Sequence, residues 1–129
     1  MKIKRPAYKK IFTDEELAEM ACVFWEEAIS HLEENGLVTK TRLGLVDRYV
    51  RAKVEFEKLS PDALKEGPVK VGPNGGDVFN FTWSAVKKIG EEIFKFEDSL
   101  LISPKSADGK IAAKAAKKET SAADEILGD

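Results

Sequence analysis

The chain has 129 residues, 43% of them hydrophobic and 9% aromatic, and a formal net charge of −2, which suits one domain with a modest core. No run approaches the roughly 18 apolar residues of a membrane span, and the opening MKIKRPAYKK lacks the apolar centre of a signal peptide, so the cytoplasm is the expected compartment. The single Cys22 excludes an internal disulfide, and with only His31 beside it there is no Cys/His set for a structural zinc site.

Charge is segregated along the chain. Lys2, Lys4, Arg5, Lys9 and Lys10 form a basic N-terminal arm without an acid among them, and from Asp14 to Glu34 every charged residue is acidic. Within that acidic stretch lies the best-signalled helix. Thr13 with Glu16 makes a capping-box pattern, Phe12 and Leu17 sit where a hydrophobic staple would, and acids fill the dipole-favoured first turn, so the helix starts near Asp14. Leu17, Met20, Ala21, Phe24, Ala28, Ile29 and Leu32 recur at three- and four-residue spacing, with Trp25 widening the stripe, until Asn35-Gly36 supplies a stop.

A second helix is predicted from about Thr41, where Leu45, Tyr49, Ala52, Phe56 and Leu59 repeat every three or four residues and Ser60-Pro61 ends the pattern. This segment is mostly basic, which favours antiparallel packing against the acidic helix, although exposed pairs contribute only about 0 to 1 kcal/mol each. VKVGPNGGDVFN then changes the character of the chain. Two short β-like pieces, at 69–71 and 78–79, flank a Gly/Pro/Asn turn, which reads as a hairpin or compact loop because Gly supplies positive φ and Pro73 forbids helix. Helical spacing resumes at Asn80 or Thr82, with Val86, Ile89, Ile93, Phe96 and Leu100; Gly90 inside that stripe is either a close helix crossing or a tolerated imperfection. Ser103-Pro104 reads as a further helix start.

Beyond Gly109 alanine and lysine give helix propensity but little to bury, and Asp124, Glu125, Ile126 and Leu127 put an apolar pair on an acidic tail, a pattern suited to docking on a partner. Signals for catalysis are weak. Cys22 and His31 fall on opposite sides of one helix, the acid pairs Glu33-Glu34 and Glu91-Glu92 read as solvated faces, and GPNGG lacks the Lys-Ser/Thr ending of a phosphate loop. No catalytic residue, metal ligand or cofactor is therefore assigned.

The order of these features carries a resemblance. HLEENGLV, RAKVEFEKL, the hairpin VKVGPNGGDVFN and then WSAVKKIGEEIFKFEDSLLISPKS resemble the small subunits of phage terminases over 17–113, with SPKS similar to the family's closing LTPSSR. Val78 stands where a proline is often found beyond the hairpin, and Ala107 where an arginine is expected. The resemblance implies a non-enzymatic, mainly α protein of the host cytoplasm, with a helical hairpin and a third long helix joined by the short β-hairpin or Gly-rich loop. The residues themselves divide the chain into a flexible basic arm at 1–12, a helical core at 13–103 with its hairpin at about 68–80, which the resemblance makes an oligomerisation core, and a C-terminal helix with a weakly ordered acidic tail at 104–129. The resemblance also implies a homo-oligomeric ring, viral double-stranded DNA and the large ATPase/nuclease subunit as partners. Clustered cations nominate Lys2, Lys4, Arg5, Lys9 and Lys10 for phosphate contact, then Arg48, Arg51, Lys87 and Lys88, and the tail at 124–127 for the large subunit. The same residues also fit a small dimeric DNA-binding regulator, or an adaptor that binds no nucleic acid.

Overall fold

The structure, a computed structural model, describes residues 2–102, and within them the apolar spacings fold as helices. In chain order these are a short α1 (Tyr8–Ile11), α2 (Glu15–Glu34) and α3 (Lys40–Glu66), the hairpin strands β1 (Val69–Val71) and β2 (Asp77–Phe79), and α4 (Phe81–Ser99). The described residues are mainly α with one small antiparallel hairpin, as the sequence implies. The helix start at Ser103-Pro104 lies outside the described residues.

The first long helix begins where the acids predict, but its cap differs. Asp14, not Thr13, is the N-cap, and its carboxylate accepts from the Leu17 N–H at 3.2 Å. Leu17 is thus the third helical residue, Glu16 falls one position short of closing a capping box, and the ionised cap also meets the positive end of the helix dipole. At the other end Gly36, with φ 64°, closes the helix; the N–H of Leu37 reaches the Leu32 carbonyl at 2.8 Å, and the Asn35 amide donates to the His31 carbonyl. The buried stripe is Ala18, Ala21, Trp25, Ala28, Ile29 and Leu32. Trp25 is therefore at the centre of the packed face instead of at its margin, framed by alanines that let neighbouring elements approach.

Thr39 caps α3 through the Arg42 N–H, and this helix departs from the predicted end at Ser60-Pro61 by running on to Glu66. A proline in a helix interior costs about 3 kcal/mol through its missing N–H and its clash with the preceding turn. Tertiary packing offsets that cost: the extra turn buries Ala63 completely, and it sets Glu66 and the carbonyl of Gly67 within reach of Asn80. Gly67 then ends the helix at φ 77°. Along α3 the fully buried residues include Val46, Val50 and Val54 beside Tyr49 and Ala52. The wider stripe follows from position, since α3 packs against α2 on one side and α4 on the other.

The hairpin pairs Val69 with Phe79, Lys70 with Val78 and Val71 with Asp77. Gly75 supplies the positive φ of its turn, at 82°. The hairpin's base is fixed by Asn80, which has no exposed surface. Its side chain donates to the Gly67 carbonyl at 2.8 Å and to a Glu66 carboxylate oxygen at 3.3 Å, accepts from the Thr82 N–H, and so caps α4 while tying it to the end of α3. The α4 stripe Val86, Ile89, Ile93, Phe96 and Leu100 faces inward as its spacing predicts. Gly90 is not a steric requirement: an added Cβ would meet only the Phe56 ring edge, at 3.6 Å.

Candidate functional site

Packing reaches further toward the N-terminus than the basic composition of that segment suggests. Tyr8 is 1% exposed and joins the core cluster, edge-on to Trp25 at 6.3 Å between ring centroids, with Ile3 packed beside it. Its hydroxyl donates to Asp47 Oδ1 at 2.9 Å, and the same oxygen accepts from Arg51 Nε at 3.1 Å. Burial first, then the Asp47 hydrogen bond, pushes the Tyr8 phenol well above its ordinary pKa. The arm is thereby anchored against α3 by one aromatic side chain, and its cations are held on the surface around that anchor.

Lys2, Lys4, Lys9 and Lys10 are exposed. Arg5 is also exposed but pairs with Glu26 of α2 at 3.3 Å, which turns it toward the acidic helix. The Tyr8–Asp47–Arg51 link brings the arm and Arg51 together, with Arg48 exposed one turn earlier on α3. Lys87 and Lys88 are not part of that group. They lie in the N-terminal half of α4, where Lys87 Nζ sits over the Trp83 ring at 5.3 Å and lines a hollow with Phe56 and Leu64 near the far end of α3. The sequence-predicted cations thus divide into one surface around α1 and α3 and another on α4. Asp124, Glu125, Ile126 and Leu127 lie outside the described residues.

The conspicuous feature missed in the sequence is apolar. All six strand residues of the hairpin are exposed, and Phe81, Phe94 and Leu64 are 79%, 65% and 68% exposed. These continue past Trp83 and Gly90 into a hollow of about 200 Å³ between α3 and α4, lined by Phe56, Leu64, Trp83, Val86, Lys87 and Gly90. Among the described residues these apolar side chains face outward instead of into the core. A signal for it was present: Phe81 and Phe94 fall outside the inward stripe of α4, so their aromatic rings had no place in its core.

Beyond the C-terminal end of α4 the chain turns through Leu101, a non-glycine residue at φ 59°, whose N–H and that of Ile102 return to the carbonyls of Asp98 and Glu97. The Nε2 of His31 donates to the Leu101 carbonyl at 3.0 Å, and the Tyr49 hydroxyl donates to Glu97 at 2.8 Å. Burial and then the Glu97 hydrogen bond raise the Tyr49 phenol. His31 is therefore a clasp between α2 and the end of α4, while Cys22 is a half-buried thiol packed on the core. Among the described residues no group of three or more His, Cys, Asp or Glu side chains is placed to hold a metal ion, and no helix is long and apolar enough to cross a membrane.

A family model described as phage terminase, small subunit, matches residues 21–118. No curated protein and no solved structure matches the chain.

Proposed function

Because this chain belongs to the phage terminase small-subunit family, with a role in phage DNA packaging, we propose that it assembles as a ring, binds viral double-stranded DNA and regulates the large subunit without catalysing a reaction itself. The match over 21–118 carries this reading. The apolar face of the hairpin and α4 supports its oligomeric part, since the described residues of a single copy leave those side chains exposed.

In this reading the DNA contact is made first by Lys2, Lys4, Lys9 and Lys10 around the Tyr8 anchor, with Arg48 and Arg51 beside them on α3. Arg5 and Arg51 have smaller shares because Glu26 and Asp47 already hold them. Lys87 and Lys88 form a separate and secondary group. With no helix-turn-helix signature in the sequence, contact runs to phosphates instead of base edges, and repetition around a ring multiplies the modest affinity of each arm. The tail at 124–127 docks on the large subunit, and the protein acts in the host cytoplasm.

Native mass spectrometry tests the assembly directly. A closed oligomer larger than a dimer is the expected species at micromolar concentration. A monomer would overturn the ring, and a dimer would favour the small regulator that shares these sequence features.

A further inference from the structure

We infer that the hairpin of one subunit seats in the hollow between α3 and α4 of the next, with Asp77 of the hairpin paired to Lys87 at the rim of that hollow. The inference rests on the oligomeric reading above and specifies its contact. The strand register carries the first step. Pairs Val69–Phe79 and Val71–Asp77 place four side chains on one face of the hairpin. Three are apolar and exposed, at 50%, 71% and 56% for Val69, Val71 and Phe79, and the fourth is an acid.

A two-stranded hairpin is marginal in water unless a third strand or a helix covers it. Here the strands are three residues long and exposed throughout, and Asn80 ties down their base alone. The described residues therefore leave the apolar face uncovered, and the occupant inferred for it is a second copy of the chain. A matching surface is present in every copy. The hollow of about 200 Å³ is apolar along Phe56, Leu64, Trp83 and Val86, Gly90 opens its floor, and Lys87 is the cation in its lining. Asp77 and Lys87 make no ion pair among the described residues. One acid on the apolar hairpin face and one cation at the apolar hollow give charge complementarity to a contact whose shape is otherwise generic. No strand residue lines that hollow, so one copy can offer its hairpin to a second while its own hollow receives the hairpin of a third; in this head-to-tail arrangement successive copies close into a ring when the rotation permits.

The test uses the full chain with Cys22 replaced by serine. Asp77→Cys and Lys87→Cys introduced together should give, on oxidation, a ladder of disulfide-linked species extending beyond the dimer on a denaturing gel. A reciprocal exchange between two copies would stop at the dimer and would overturn the head-to-tail arrangement. In parallel, Asp77→Lys and Lys87→Asp should each raise the concentration at which the oligomer dissociates by about tenfold, and the double reversal should restore it. Circular dichroism melts matching the parent would show that these exposed substitutions leave the fold intact. A ring by native mass spectrometry with no intermolecular disulfide and no response to charge reversal would overturn this contact while leaving the ring. A monomeric parent protein would overturn both.

Discussion

Replacing Lys2, Lys4, Lys9 and Lys10 by glutamine should weaken DNA binding and flatten its salt dependence while leaving assembly intact. Substitution is the correct perturbation, because deleting residues 1–10 would also remove Tyr8, which is 1% exposed and hydrogen-bonded to Asp47. Loss of a buried aromatic side chain costs roughly 3 to 5 kcal/mol, enough to confuse a binding defect with unfolding. The four lysines are exposed, whereas Arg5 is engaged by Glu26 and is left in place. Each phosphate contact contributes about 0.9 to the slope of log affinity against log salt, so four lost contacts reduce it by up to about 3.6 for each engaged subunit. Between 50 and 200 mM salt, that slope corresponds to roughly a hundredfold difference in affinity. Fluorescence anisotropy with labelled duplex across this range measures it. An unchanged slope and affinity would refute the arm as the phosphate-binding surface and transfer the role to Arg48 and Arg51 or to Lys87 and Lys88.

Alkaline pH should destabilise the fold through Tyr8 and Tyr49. Both phenols are raised above 10.0, chiefly by burial, so the native state keeps protons that the unfolded chain loses; their contribution is complete below pH 10 and falls above it by about 1.4 kcal/mol per pH unit for each tyrosine. Tyr8→Phe should halve this slope in urea melts above pH 10, and an unaltered slope would contradict the assignment. Gly44 and Gly75 should respond in opposite ways. An added Cβ at Gly44 meets nothing within 4 Å inside α3, so Gly44→Ala should stabilise by roughly 1 kcal/mol, whereas Gly75→Val, at φ 82°, should destabilise by roughly 1 to 3 kcal/mol and Asn74→Gly should be mild. Equal thermal melts for the two glycine variants would mean that the turn geometry is wrong. Deleting Ser121 to Asp129 should leave oligomer size and DNA affinity intact but abolish binding to the large subunit and stimulation of its ATPase; full stimulation by the truncated chain would reject the docking role of the tail.

Much of the architecture is written locally in the sequence. Three- and four-residue apolar spacing fixes the inward face of α4, Asn35-Gly36 stops α2, and GPNGG reverses the chain between two short strands, because each of these depends on the conformational preferences of neighbouring residues. The basic arm and the acidic helix are equally legible as charge. What the sequence does not decide is which faces meet. Pro61 reads as a helix end, yet α3 continues through it because Ala63 gains complete burial and Gly67 reaches Asn80, partners that lie elsewhere in the chain. Val46, Val50 and Val54 become core only because α3 is enclosed between α2 and α4. Tyr8 stands in a run of cations, and its burial follows from Trp25 and Asp47, 17 and 39 residues further on by sequence number. The hairpin and off-stripe rings of Phe81 and Phe94 show the converse. Their apolar character is plain in the sequence, but only the tertiary packing leaves them facing outward, because burial is a property of what surrounds a side chain and not of the side chain itself.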